Sequence, residues 1–303
     1  MERDQRVRLA AFAFLEEQVR LLGSEVLPRE LLVKGFEFEG ERVPLMAPQG
    51  IFKPRLLDLP LSITTAPEVE GRDRPYDDRI GEDGLLDYRY RGTDPAHRDN
   101  AGLREAMARR VPLVYFHGMV PGRYWAQWPV FIVGDTPARL TFSVAVDDAR
   151  HAIPLPGEAD RVAEARREYV TVEARRRLHQ QGFRERVLRA YQEQCAICRL
   201  KHTELLDAAH ILPDGHPKGH PVVPNGLALC TLHHAAFDRS VLGIRPDLVV
   251  EVRADILKEI DGPMLKYGLQ GFQGVKIQVP RAQSQRPDRQ ALEERWGMFR
   301  KAV

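Results

Sequence analysis

Cys195-Ala196-Ile197-Cys198 and, further along, Cys230-Thr231-Leu232-His233 are two knuckles of the C-x-x-C and C-x-x-H kind. A knuckle of this spacing sets two donors around one metal with little backbone strain, and two knuckles complete the tetrahedral shell that zinc prefers. The chain has three cysteines, and all of them fall on these positions. A structural Zn2+ held by Cys195, Cys198, Cys230 and His233 is therefore expected. Four protein ligands leave no open coordination position, which makes the site a clasp and not a reaction centre. Three clustered cysteines cannot build a disulfide framework, so a reducing, cytoplasmic setting is expected as well.

Within and just after the clasp come Asp207-Ala208-Ala209-His210-Ile211, Pro224-Asn225-Gly226-Leu227 and His233-His234-Ala235-Ala236-Phe237-Asp238. They supply His, Asn and His in that order. The order, the spacing and the flanking knuckles together resemble the HNH, or ββα-metal, nucleases, and more closely the zinc-clasped McrA-type restriction endonucleases, over Cys195 to Arg239. The resemblance implies a β-hairpin followed by a helix that hydrolyses phosphodiester bonds of double-stranded DNA. Such hydrolysis needs a base to activate water, a divalent cation to stabilise charge on the phosphate, and a group to orient the base. In this sequence the resemblance gives the base to His210, on the first hairpin strand. It gives Asn225 the task of fixing the hairpin loop and the imidazole tautomer. His234 and Asp238 stand four residues apart in a helix-prone stretch and so project from one face, where they are expected to hold a catalytic Mg2+ or Mn2+.

One position departs from the family pattern. Many HNH enzymes carry an acidic metal ligand directly before the first His, and here that residue is Ala209. Asp207 is the nearest substitute, but strand alternation turns it away from His210 unless a bulge intervenes.

Working outward, 303 residues provide chain for about two domains, and 43% hydrophobic with 29% charged residues is a globular balance. No apolar run approaches the about 18 to 20 residues that cross a bilayer, and Met1 to Arg8 is too charged to open a signal peptide, so no membrane partner is expected. A formal net charge of +2 permits an anionic partner without demanding one,. The expected fold class is α+β. An amphipathic helix occupies 1–24, with Leu9, Phe12, Leu15, Val19 and Leu22 at helical spacing. Short β-prone runs broken by Gly, Pro and Asp fill 25–150, among them Leu31 to Phe38, Val111 to His117, Pro129 to Val133 and Ala138 to Val146. A helix started by Asp99 or Asn100 interrupts them. A charged helical connector covers 151–193, the nuclease 194–260 and a C-terminal extension 261–303.

The β-rich segment contains Tyr88-Arg89-Tyr90-Arg91-Gly92, Asn100 through Met107 and Pro112-Leu113-Val114-Tyr115-Phe116. Over about Pro75 to Asp147 it looks like the PUA-like domains that include the SRA readers of methylated DNA. That resemblance implies a bent β-barrel with helices, cupped to accept a flipped base between aromatic faces. Tyr88, Tyr90, Tyr115 and Trp125 are the expected stacking surfaces, and nearby arginines would track phosphates. The combined reading is a restriction-type endonuclease directed by a modified-base reader. Two rivals stand beside it: an HNH nuclease whose first domain binds unmodified sequence or protein, and a zinc module that binds DNA without cutting it. The sequence leaves open whether the protein acts as a homodimer.

Overall fold

The structure, a computed structural model, describes residues 3–67, 79–80, 85–146 and 179–302. The chain forms two compact units, Met1–Leu178 and His179–Val303. The connector expected over 151–193 lies outside the described residues as far as 178, as do parts of the PUA-like resemblance over Pro75 to Asp147.

The first unit opens with helix α1 (Arg3–Leu22), strand β1 (Val26–Pro28), helix α2 (Arg29–Lys34) and the hairpin of β2 (Phe36–Phe38) and β3 (Glu41–Val43). Strands β4 (Ile51–Phe52), β5 (Ser62–Thr65), β6 (Arg79–Ile80) and β7 (Leu85–Arg89) precede helix α3 (Arg98–Ala108), and β8 (Leu113–Val120), β9 (Arg123–Thr136) and β10 (Thr141–Val146) follow it. The strands join in the order β4-β5-β8-β9-β10-β7-β6, with β1 added to the long β9, as a curled half-barrel sheet. Only the β5–β8 pairing is parallel among these ladders; Ser62 lies beside Val114 and Thr65 beside His117.

Strand periodicity explains why β8 is buried at every position. Val114 and Phe116 face a core containing Val7, Ala11 and Leu15 of α1, whereas Leu113 and Tyr115 face a second core with Leu103 of α3 and Phe142. Successive side chains of a strand point to opposite faces, so covering both faces with helices buries both parities.

Three details differ from the sequence expectation. The buried stripe of α1 is Val7, Arg8, Ala11 and Leu15, while Leu9 is exposed. Arg8 can be buried because its guanidinium binds Asp4 and the carbonyls of Leu59, Pro60 and Pro112. Helix α3 is capped by His97, whose Nδ1 accepts from the Asp99 amide at 3.2 Å. Asn100, expected as a cap, instead lies buried and ties the Arg91 backbone and the Asp94 carbonyl together. Finally, the run from Leu31 to Phe38 is not one strand, because its first half continues α2 and Gly35, at φ +62, turns the chain into β2.

The second unit begins with helix α4 (179–190), then the hairpin of β11 (Leu206–His210) and β12 (Gly226–Cys230), helix α5 (Thr231–Asp238), and a smaller hairpin of β13 (Leu242–Ile244) and β14 (Val250–Val252). Short helices α6 (Ala254–Lys258) and α7 (Pro263–Gly268) lead to the terminal helix α8 (Arg289–Ala302). One core unites them: Phe183 and Val187 of α4, Leu206, Leu227 and Leu229 of the hairpin, Phe237, Ile244, Val250 and Leu292. Each such side chain, fully buried, contributes on the order of 2 kcal/mol.

Candidate active site and metal clasp

The clasp is built where α5 leaves β12. Cys230 ends the strand, His233 sits one turn into the helix, and the loop after α4 brings Cys195 and Cys198 against them. The four donor atoms lie within 4.8 Å of one another. Cys198 Sγ is 3.8 Å from Cys230 Sγ, and Cys195 Sγ is 3.6 Å from His233 Nδ1. A tetrahedral zinc with bonds of about 2.3 Å to sulfur and 2.0 Å to nitrogen separates its ligands by about 3.5 to 3.8 Å, so the donor set fits that ion. His233 turns Nδ1 to the sulfurs while its Nε2–H donates to the Gly268 carbonyl at 2.9 Å, an outer bond that sets the ring's tautomer,. Phe272 packs edge-on against the same ring. Hydrogen bonds from Cys198 and Cys230 draw the Cys195 thiol toward thiolate. Burial opposes charge on His233, yet its bonds to Cys195 and Cys230 prevail and raise it to about 9.

His210 is the last residue of β11, opposite Gly226 in the ladder. Gly226 has no side chain because none fits: a Cβ there would stand 2.4 Å from Val187 and 2.9 Å from Phe183. That close approach lets α4 lie across the hairpin, and Phe183 stacks on the His210 ring with centroids 4.1 Å apart. The imidazole is thus held by an aromatic face, and its Nε2 is buried with no protein partner. Burial lowers the His210 pKa, with Asp214, Asp238 and Asp207 pulling the other way. A histidine held neutral in this manner accepts a proton at physiological pH.

Asn225 closes a 3₁₀ turn, Val223–Asn225, immediately before β12. Its Oδ1 accepts from the Leu212 amide at 2.9 Å, and its Nδ2 donates to the carbonyls of Leu212 at 3.0 Å and His220 at 3.1 Å. The side chain therefore pins the loop that follows His210. Its amide hydrogens are spent on backbone, so the expected direct hold on the imidazole tautomer is replaced by a hold on the chain that carries His210.

His234 and Asp238 share one face of α5, with His234 Nε2 3.2 Å from Asp238 Oδ2. Asp207 meets the other ring nitrogen: its Oδ2 is 3.2 Å from His234 Nδ1. Alternation does turn Asp207 away from His210, but α5 covers that face of the hairpin. The bonds from Asp207 and Asp238 raise His234 to about 9, and the bond to His234 lowers Asp238. Once a cation displaces the Nε2 proton, imidazole and carboxylate four residues apart form a donor pair suited to an ion that keeps most of its waters.

Sequence reasoning missed two contributors. Arg295 of α8 stacks over the Phe237 ring at 4.5 Å, donates to the Phe237 carbonyl at 2.9 Å and lies 3.8 Å from Asp238. Nothing in the spacing of a residue 58 positions from its partner announces this. Phe183 falls in the charged helical connector of the sequence reading, where no spacing marks it as a partner of His210.

In the first unit all four expected aromatics are buried, and Tyr88, Tyr90 and Tyr115 share one core. Tyr88 and Tyr90 line an open cleft of about 470 Å³ together with Arg29, Gly50, Thr64, Arg89, Arg91 and Tyr124. Tyr115 and Trp125 lie in the core, where Tyr115 bonds Thr65 and His117 and Trp125 donates to Glu25 at 2.9 Å. Tyr90 is tied to Asp135 and Arg104. Thr64 Oγ1 is buried without a hydrogen-bond partner.

A family model for HNH endonucleases matches residues 195–245. No curated protein matches the chain. Among solved structures, a modification-dependent restriction endonuclease, TagI, is 17% identical over 79% of this chain and 81% of its own, with a TM-score of 0.31. The type IV phosphorothioation-dependent restriction endonuclease ScoMcrA is 19% identical over 62% of this chain and 47% of its own, with a TM-score of 0.25. No helix among the described residues is long and apolar enough to cross a membrane. With the knuckles, His210, Asn225 and α5 all falling inside the matched segment, residues 195–245 form an HNH endonuclease domain and the chain is a nuclease.

Proposed function

We propose that the protein is a divalent-metal-dependent endodeoxyribonuclease of restriction type, cytoplasmic, whose first unit reads modified bases in double-stranded DNA. The observation that carries the cleavage reading is the His234–Asp238 donor pair on one face of α5, whose charges act on a His210 held by the Phe183 ring. His210 takes the proton from the attacking water. Asn225 holds the loop that places it. His234 and Asp238 hold the cation, Mg2+ or Mn2+, which when bound neutralises charge on the phosphate and leaving oxygen. The Cys195, Cys198, Cys230 and His233 clasp carries structural zinc and keeps α5 in register with the hairpin.

The reader reading is supported by the cleft at Tyr88 and by the sequence likeness of this segment to PUA/SRA-like domains. The cleft brings tyrosine rings, three arginines and the unsatisfied Thr64 hydroxyl together. These supply ring edges along the cleft wall and charge for phosphates,. In this assignment Tyr88 and Tyr124 contact the base, whereas Tyr115 and Trp125 shape the sheet beneath. Homodimerisation is part of the proposal only as a way of cutting both strands. The test is digestion of matched unmodified, cytosine-methylated, hydroxymethylated and adenine-methylated duplexes, each with Mg2+ and with Mn2+. Cleavage confined to one modified substrate and lost with chelator supports the whole reading. Equal cleavage of every substrate removes the reader, and absence of cleavage on all of them removes the proposal.

A further inference from the structure

We infer that Asp207 is a positioning residue of the catalytic centre: it holds the His234 ring by Nδ1 so that Nε2 faces the cation, and it is not itself a ligand. The inference rests on the proposed metal-dependent cleavage.

The residue before His210 is Ala209, fully buried and without a donor, so any acidic contribution from β11 must come from Asp207. The geometry separates two roles for such a carboxylate. Asp207 Oδ2 and Asp238 Oδ2 each stand 3.2 Å from His234, but at opposite nitrogens of one ring. A cation ligated through Nε2 lies on the Asp238 edge, and the carboxylate at the Nδ1 edge is then across the imidazole from it.

With the cation assigned to His234 and Asp238, the chemistry lies at the Nε2 edge and Asp207 at the far one. The other oxygen of Asp207 is already engaged: Oδ1 accepts from the Ala208 amide at 2.8 Å and lies 3.8 Å from Arg184 Nε. Arg184 is fixed in turn by bonds to the carbonyls of Thr203 at 3.0 Å and Leu206 at 2.8 Å. A carboxylate with one oxygen anchored by its own backbone amide is a well-placed acceptor for an N–H through the other. An imidazole ligand whose second nitrogen donates to such a carboxylate is locked in one tautomer and one orientation.

The experiment uses the full-length, zinc-loaded chain without DNA. Mn2+ binding is measured by titration calorimetry for the wild type, Asp207→Asn, Asp207→Ala and Asp238→Asn, with zinc content confirmed for each. In parallel, two-dimensional 1H–15N spectra of the Mg2+-saturated wild type report the His234 tautomer. Asp207→Asn keeps an oxygen that accepts from Nδ1–H and is expected to retain Mn2+ affinity within about threefold. Asp207→Ala should lose about tenfold, the lower end of what removal of an outer partner costs, and Asp238→Asn should lose more than either. The wild-type ring should carry its proton on Nδ1. Asp207→Asn falling as far as Asp238→Asn, or a proton found on Nε2, overturns the inference and makes Asp207 a ligand. Mn2+ affinity unchanged in Asp238→Asn as well would overturn the metal reading itself, and the inference with it.

Discussion

Replacing Asn225 with aspartate exchanges one NH2 group for an oxygen and leaves the shape of the side chain unchanged. That exchange isolates the loop-pinning role, because the two hydrogens of Nδ2 go to the carbonyls of Leu212 and His220, while the bond accepted from the Leu212 amide survives. In its ionised form the introduced carboxylate would place an oxygen against two buried carbonyl oxygens. Two buried acceptors left without donors cost about 1 to 3 kcal/mol each, so the ionised form should destabilise the second unit by about 3 to 5 kcal/mol. A protonated side chain restores one donor and about half of that loss. The pKa of the introduced carboxyl is therefore raised in the folded state above its unfolded value of about 3.9.

For such a group the native state binds more protons than the unfolded state, so stability falls as pH rises between the two pKa values. The deficit of Asn225→Asp should thus widen from about pH 4 toward pH 6, at up to about 1.4 kcal/mol per pH unit, and level off above that, while wild type and Asn225→Ala show no such added slope. Urea unfolding at several pH values gives the global number, and hydrogen exchange of the Leu212 amide reports the loop directly. A loss below about 1 kcal/mol with no pH slope would show that Asn225 does not pin the loop in solution.

The remaining predictions concern the base, the clasp and the metal pair. His210→Ala should abolish cleavage while zinc content and DNA affinity persist, and cleavage within tenfold of wild type would take the base role from it. Because burial against Phe183 lowers the His210 pKa, activity should hold as pH falls below 6.5 and be lost as His210 protonates. Phe183→Ala opens that side to water and should move this acid limb upward, which the pH–rate profile of the two proteins checks. Cys195→Ser or Cys230→Ser should lose one equivalent of zinc and the fold of the second unit, since structural zinc binding supplies on the order of 10 kcal/mol; elemental analysis decides it. His234→Ala and Asp238→Ala should cut activity in a way that raised Mn2+ partly restores, whereas falling zinc content instead would exchange the roles of His233 and His234.

What the sequence revealed and what it hid divide along physical lines. A knuckle or an i, i+4 pair is local geometry, set by a turn or by the pitch of a helix, so Cys195 with Cys198 and His234 with Asp238 could be placed before any tertiary arrangement was known. His210 and Asn225, which flank the connection between β11 and β12, are placed instead by the resemblance to HNH nucleases. Asp207 shows the limit of that reasoning. Alternation correctly turns it from His210, but only packing reveals that α5 covers the face to which it points and delivers His234 there. Arg295 is beyond any local rule, since its place beside Asp238 depends on α8 folding back across the unit.

The first unit carries the same lesson in its aromatics. Tyr88, Tyr90, Tyr115 and Trp125 are alike in composition and in β-prone surroundings, and strand parity separates neighbours on one strand without telling which face will be covered. In β8 both faces are covered, one by α1 and the other by α3, so Tyr115 has no open side and its hydroxyl bonds Thr65 and His117 in the interior. Trp125, on β9, packs with Val26 of the added strand β1 and sends its N–H to Glu25. Tyr88 borders the cleft because β7 lies toward the end of the strand order, beside only the short β6 and β10, and because Gly50 approaches its hydroxyl with no side chain of its own. Access for a ligand in this unit is thus decided by which strands the helices leave uncovered, a property of the assembled sheet that no stretch of the chain encodes by itself.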